Sequence, residues 1–402
     1  MPETHLVFVE TQGRVLERMI PEILAAHPDW HLVRVAEASA AFQLLAQYSV
    51  GVLVASFGTD RAGCEQFFKE AKARDRAVMR MGLISPCVDK SSLKPLDEAH
   101  QCYAIDVSAA QLGDAIERAL SLRERAQRNP RLRDLLAELN RLPTPPAVYF
   151  DIRDALHRPQ GSLKSIVPLL SKDPALTAKV LKVANSGYYA LPRTIADLQT
   201  AITLLGQDTL LAIVLAAHLF DRLPLPGLNL DKLWIHAVAI AVLSKRLAEQ
   251  EGLAPSVASA CGVAGLLHDV GQLILLVNMP TEYYGAIREA AGDEERLLLI
   301  ERERFGVGHP ELGGYLLALW GLPDAVVQAV AEHHECDDER IRLRPFSERV
   351  VGVAEWLLQR YRTQTDAARS LGCPNCLTDQ EASRMGDWWS SLDALVEQRV
   401  IG

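Results

Sequence analysis

No uninterrupted apolar run in this chain approaches the roughly 18 residues of a membrane-spanning helix, and none is expected to span a bilayer. The first residues, Met1-Pro2-Glu3-Thr4-His5, lack the basic-then-apolar pattern of a secretory signal. The expected location is therefore cytoplasmic. An excess of basic residues is also missing: the formal net charge is -9. That balance argues against nucleic acid or an anionic membrane as a partner, since both need a basic face. Cysteine is sparse, seven residues with one CxxC at Cys373-Pro374-Asn375-Cys376. In a reducing compartment these read as free thiols, and the single CxxC reads as a turn. There is no internal repeat and no low-complexity tract. What is present is 49% hydrophobic residues over 402 positions, enough for two or three packed domains.

The first 125 or so residues alternate two patterns. Leu6–Val9, Trp30–Val35, Val50–Ala55, Val78–Ile84 and Cys102–Ile105 are short apolar runs. Amphipathic segments such as Val15–Ala26, Ala38–Tyr48 and Ala62–Ala73 lie between them. This alternation predicts a parallel sheet covered on both faces, five βα units in the doubly wound, flavodoxin-like arrangement. Residues 108–141 read as a long helical stretch interrupted at Asn129-Pro130. It carries Arg123, Arg125, Arg128, Arg131 and Arg133, the composition of a solvated linker helix. Leu112, Ile116, Ala119 and Leu120 give its start a face that can dock on the sheet. Leu142-Pro143-Thr144-Pro145-Pro146 is then expected to be an extended, exposed hinge. The predicted organisation is 1–125 α/β, 126–146 linker, 147–361 all-α and 362–402 a C-terminal extension.

Beyond the hinge the patterns are helical. Asp173-Pro174 reads as an N-cap followed by proline at the first helical position. Helices are expected at 197–205, 208–220, 231–250, 255–267, 310–320, 323–334 and 346–361. Trp388, Trp389, Leu392 and Leu395 suggest a last docking helix.

The N-terminal half resembles the receiver domain of two-component response regulators in pattern, with poor agreement at its functional positions. That resemblance implies an acidic pair after strand one, a phosphorylated Asp after strand three, a hydroxyl after strand four and a Lys after strand five. Here Glu10 is the one acid after strand one, Ser56 replaces the acceptor, Ser85 keeps the hydroxyl, and strand five runs into Asp106 with no Lys. Phosphoryl transfer needs the carboxylate nucleophile and the cations that neutralise charge. A pseudo-receiver, used for dimerisation or partner docking, is the expectation.

From Leu142 to Glu335 the chain resembles the HDOD domain. The residues that carry this are Asp173-Pro174-Ala175-Leu176, Ala184-Asn185-Ser186, Ala201-Ile202-Thr203-Leu204-Leu205-Gly206, Leu233-Trp234-Ile235-His236, His309-Pro310-Glu311-Leu312-Gly313, Trp320-Gly321-Leu322-Pro323 and His333-His334-Glu335. HDOD domains are all-α relatives of HD-type phosphohydrolases found in bacterial signalling proteins. Many of them act through protein contacts. The resemblance implies partners such as a diguanylate cyclase, a phosphodiesterase or a kinase, in cyclic-di-GMP or two-component signalling.

Five of the eleven histidines fall between His236 and His334, around His268-Asp269. Imidazole with carboxylate suits Mn, Fe, Zn or Mg. Matched to the related hydrolases, His236, His268, Asp269, His309, His333 and His334 are the implied metal ligands, with Glu355 near the position of a final Asp. Each also has a plain structural reading, as a hydrogen-bonded core histidine or a helix cap. Catalysis is less favoured than metal binding. The lysine of the His-Asp-x-Gly-Lys pattern is Gln272 here, and the Gly-Tyr-Pro signature is replaced by Cys336-Asp337-Asp338-Glu339. Two functions follow: a noncatalytic signalling module, or a metal-dependent phosphohydrolase acting on a nucleotide or cyclic dinucleotide.

Overall fold

The structure, a computed structural model, describes residues 5–11, 13–58, 60–84, 98–127, 129–139, 142–143, 145–157, 163–185, 195–221, 230–335, 339–362 and 376–397. The strands are β1 (His5–Glu10), β2 (His31–Val35), β3 (Val50–Ser56), β4 (Met79–Ile84) and β5 (Gln101–Ala104). Helices α1 (Val15–Ala26), α2 (Ala38–Gln47), α3 (Arg61–Arg74), α4 (Ala109–Gln127) and α5 (Pro130–Glu138) accompany them. Then come α6 (Ala147–His157), α7 (Val167–Leu170), α8 (Pro174–Ala184), α9 (Leu198–Asp221), α10 (Leu230–Gln250), α11 (Pro255–Leu267) and α12 (Val270–Asn278). They are followed by α13 (Pro280–Ala290), α14 (Glu294–Phe305), α15 (His309–Trp320), α16 (Asp324–Ala331) and α17 (Phe346–Arg362). Helical segments Asp379–Ala382 and Met385–Glu397 close the described chain.

The chain forms two compact units. The first comprises residues up to 144 together with 274–308 and 318–321. Its sheet is parallel throughout, in the order β2-β1-β3-β4-β5, the flavodoxin-like arrangement expected from the sequence. Strand β3 is buried along its whole length and β2, at the edge, is partly exposed, as a sheet covered on both faces requires. Leu112, Ile116 and Ala119 of α4 are fully buried. Of the arginines expected to be solvated, Arg131 and Arg133 are exposed, whereas Arg123, like Arg118 before it, is engaged. Arg118 donates to the Leu319 carbonyl at 3.1 Å and Arg123 to the Val50 carbonyl at 2.8 Å. The proline-rich hinge departs as well. Leu142 and Pro145 are buried rather than exposed. Leu142 N–H donates to the His100 carbonyl at 3.1 Å, and Trp320 Nε1 donates to the Pro143 carbonyl at 2.8 Å. Proline removes its own N–H but not the neighbouring donors and acceptors, and these tie the segment down.

The second unit comprises 145–273, 309–317 and 322–402 and is helical in its described residues. Asp173 caps α8, its Oδ1 accepting from Leu176 N–H at 3.0 Å. Helix α9 breaks at Gly206, whose φ of 76° leaves the helical region where the sequence breaks between 205 and 208. Two stretches, Leu198–Phe220 and Pro255–Asn278, are long and apolar enough to cross a membrane by composition, with mean hydropathy 1.7, against the expectation from uninterrupted runs. They are 61% and 83% buried within the fold, which is the pattern of core helices.

The tail packs on α17 through a buried ion pair. Arg349 Nη2 and Nη1 reach Glu381 Oε1 and Oε2 at 2.7 and 3.0 Å, and Arg349 also donates to the carbonyls of Arg344 and Cys376. Trp388 and Leu392 of the tail are fully buried. Replacing Glu381 by Ala leaves a buried guanidinium without its anion. A loss of about 2 kcal/mol is expected, read as a lowered urea midpoint. A midpoint equal to wild type would show that the pair contributes nothing.

Candidate metal centre

Among the described residues, the receiver-like positions bring no free carboxylate to the acceptor position. Glu10 is buried and its carboxylate is used: Oε1 accepts from Leu16 N–H at 2.9 Å, Oε2 from Glu17 N–H at 3.2 Å, and Arg34 lies 3.4 Å from Oε2. Ser56 pairs with Glu10 in register and is fully buried, while Asp106 is exposed. Ser85 lies outside the described residues. With a hydroxyl at the acceptor position and the acid engaged by the α1 N-terminus, acetyl phosphate is expected to leave the intact mass unchanged. A stoichiometric, hydroxylamine-labile phosphoryl adduct would sink this expectation.

The histidines of the helical unit come together. His236 lies on α10, His268 and Asp269 form the two-residue junction between α11 and α12, His309 opens α15, and Glu355 is in the middle of α17. A helix was expected over 323–334; α16 ends at Ala331, and His333 and His334 lie in the turn that follows. Leaving the helix lets two consecutive residues face one pocket, which a helix would have sent about 100° apart.

Glycine sets the spacing. A Cβ on Gly265 would lie 2.8 Å from the Ile240 carbonyl, so α11 approaches α10 backbone to backbone. A Cβ on Gly271 would lie 2.0 Å from the His309 carbonyl, so the start of α12 lies against α15. These two contacts bring the His268-Asp269 junction beside His236 and His309.

Two groups of ligand atoms result, His236/His268/Asp269 and His309/His333/His334, each within 4.8 Å of one another. In the first, Glu355 Oε1 is 2.8 Å from His236 Nε2 and 2.9 Å from His268 Nε2, and Asp269 Oδ2 is 3.0 Å from His268 Nε2. Asp269 Oδ1 faces the second group, 3.5 Å from His309 Nε2 and 4.0 Å from His333 Nε2. His268 Nδ1 lies 2.8 Å from the Gly265 carbonyl and His333 Nδ1 2.7 Å from the Val330 carbonyl. Each carbonyl must accept, so both rings carry hydrogen on Nδ1 and present Nε2 to the pocket. This is the anchoring seen around metal-ligating histidines. His236 is held differently, its Nδ1 being 3.4 Å from Arg362 Nη2.

The electrostatics divide in the same way. Burial disfavours charge on His268 and His236, but Asp269 and Glu355 outweigh it and hold both above the ordinary imidazole range. Burial likewise opposes ionisation of Asp269 and Glu355, and the facing histidines overcome it and hold both carboxyls low. On the other side burial, and then the neighbouring imidazoles, push His333 well below its ordinary value and His334 down to about 4.

These residues fit a divalent cation. His268 Nε2 and Glu355 Oε1 are buried without a hydrogen-bond partner, although they lie 2.9 Å apart. With its Nδ1 hydrogen given to Gly265, His268 turns Nε2 to two carboxylate oxygens at 2.9 and 3.0 Å, an arrangement that calls for positive charge, supplied by a proton on the ring or by a cation. Imidazole with carboxylate favours Zn, Fe or Mn over Mg, which prefers oxygen alone.

Comparison with known proteins bears on the same region. Residues 142–336 match the HDOD domain family. This stretch is an HDOD domain. Over 193 residues the chain is 25% identical to a protein of Treponema pallidum (strain Nichols), a match that covers 48% of this chain and 37% of that protein. The chain thus aligns with little more than a third of its curated relative. Among solved structures, an HDOD domain protein of unknown function from Geobacter sulfurreducens is 26% identical with a TM-score of 0.51, covering 68% of this chain and 96% of that one. A candidate phosphohydrolase from Shewanella amazonensis is 23% identical with a TM-score of 0.50, covering 64% and 93%, and shares the fold.

Gln272, one turn beyond Asp269, donates from Nε2 to Asp269 Oδ1 at 2.9 Å and is buried. Arg362 is a residue the sequence reading missed. It stands seven positions after Glu355 on α17, two helical turns along the same face, and that spacing was available as a signal.

Proposed function

We propose that this chain is a noncatalytic signalling protein. A receiver-like domain without a phosphoacceptor is joined to an HDOD module that contacts a partner protein, and the histidine pocket holds a divalent cation that stabilises the fold. The partners this reading favours are signalling enzymes such as a diguanylate cyclase, a phosphodiesterase or a kinase. The observation that carries it is Gln272. The related HD-GYP hydrolases carry a lysine there, whereas this amide is neutral and is already bonded to Asp269 at 2.9 Å. It supplies no positive charge to a developing phosphate. A cation bound in the pocket would neutralise Asp269 and Glu355 and join α10, the α11–α12 junction and α17.

A specific observation favours the other reading, a metal-dependent phosphohydrolase. Arg362 is an exposed guanidinium 3.4 Å from His236 Nδ1, a cation at the rim of the pocket. The two readings separate in one assay. Protein loaded with Mn or Fe is offered bis(p-nitrophenyl) phosphate and cyclic di-GMP. Turnover no greater than that of His268→Ala is expected. Metal-dependent turnover that His268→Ala abolishes would overturn the noncatalytic reading.

A further inference from the structure

The two halves of the histidine pocket offer the same ligand types but are not equivalent. In the half built by His236, His268, Asp269 and Glu355, ligand atoms face one another with no hydrogen bond to satisfy His268 Nε2 or Glu355 Oε1. In the other half two of the three rings share a hydrogen bond. His333 carries its hydrogen on Nδ1, where Val330 O accepts it at 2.7 Å. Its Nε2 therefore holds a lone pair, and His309 Nε2, 3.3 Å away, is the donor to it. Both Nε2 atoms are thus committed to one hydrogen bond. A cation entering there would first require His309 to move or lose its hydrogen.

Asp269 makes the asymmetry complete. Its Oδ2 is turned to His268 Nε2 at 3.0 Å, in the half where that nitrogen has no hydrogen-bond partner. Its Oδ1 is the carboxylate oxygen that approaches His309, at 3.5 Å, and that oxygen accepts from Gln272 Nε2 at 2.9 Å. Gln272 is buried and sits on the first turn of α12. Its amide therefore points a positive dipole at Asp269 Oδ1, the oxygen that faces the three-histidine half. A second cation would compete with that dipole for Oδ1 and with the contact between His309 and His333, whose Nε2 atoms lie 3.3 Å apart.

We propose that Gln272, with the His309–His333 hydrogen bond, restricts this pocket to one divalent cation and keeps the three-histidine half metal-free. The inference rests on the pocket being a cation site, as proposed above. Gln272 acts as a positioning residue: it holds Asp269 so that only Oδ2 is offered as a ligand. His334 then has no metal to hold.

The test counts metal. Untagged protein is stripped, reloaded with Mn(II) and dialysed, and Mn per chain is measured by elemental analysis alongside the Mn(II) electron paramagnetic resonance spectrum. Wild type is expected to hold one Mn per chain, with the six-line signal of an isolated ion. His334→Ala should keep that ion and His268→Ala should lose it. Gln272→Ala, and Gln272→Met as the variant that keeps the side chain's length, are expected to take up a second Mn and lose six-line intensity through spin coupling. Two Mn per wild-type chain would overturn the inference and leave the cation reading intact. No Mn in wild type would overturn both. One Mn in wild type and in both folded Gln272 variants would show that Gln272 does not set the number.

Discussion

Chelation is expected to lower the melting temperature of the wild-type protein by about 5–10 °C and to leave that of His268→Ala unchanged. A cation that binds only the folded state adds RT ln(1 + [L]/Kd), about 2.7 kcal/mol at a hundredfold excess over Kd. For a domain of this size that is several degrees. His268 is the ligand to remove because its Nε2 lies at 2.9 and 3.0 Å from both carboxylates and has no hydrogen bond of its own. Without it the folded state gains nothing from the cation. The variant should start from a lower melting temperature and respond to neither chelator nor added metal. Equal responses of the two proteins to chelator would remove the cation from this pocket.

The second large effect is expected at Gly271. A methyl group there would lie 2.0 Å from the His309 carbonyl and 2.9 Å from Gly313 N. Both obstacles are backbone, so no side chain can rotate away; α12 and α15 must separate. Overpacking of this kind costs about 3 kcal/mol or more. Because Asp269 lies two residues before Gly271, the same displacement should weaken metal retention. Gly386→Ala is the matched control, since a Cβ there meets nothing within 4 Å and the position is helical. Chemical denaturation of the two variants should show a large loss at 271 and little change or a slight gain at 386. A Gly271→Ala protein as stable as wild type would mean that the two helices do not touch at this point.

The parts of the fold that were legible in the sequence are those whose signals are local. Strands β1, β3 and β4 are short apolar runs, and Asp173-Pro174 and Asn129-Pro130 carry their own caps, with Asp173 and Asn129 accepting from Leu176 and Leu132 at 3.0 and 3.2 Å. Helices α12, α13 and α14 were not anticipated. Helix α12 is apolar on every side, so it shows no periodic stripe. The cap of α14 was there to be seen, Asp293 accepting from Arg296 N–H at 3.0 Å ahead of Glu294 and Glu295. The exposed hinge, and Arg123 within the arginine-rich helix, were misjudged for one reason. Proline and arginine have strong local preferences, and those preferences carry no information about a carbonyl or a donor arriving from a distant segment, such as Leu319 for Arg118 or Trp320 for Pro143.

By itself the sequence determined the classes of chemistry available: a receiver-like sheet whose acceptor position is Ser56, and a helical domain with histidines, Asp269 and Glu355 but glutamine at 272. Residue identity decides these, because no fold makes a serine into a carboxylate or an amide into a cation. Only the tertiary structure decided how those residues divide. Which oxygen of Asp269 faces His268 and which is held by Gln272 depends on where α12 meets α15. That meeting is set by the missing side chain at Gly271, against a carbonyl 38 positions further along the chain (271 to 309). The same packing leaves His268 Nε2 unpaired while His309 and His333 share a hydrogen bond. Hydrogen bonds and ligand sets depend on distances of tenths of an ångström, and in this pocket those distances are fixed by contacts between elements far apart in sequence.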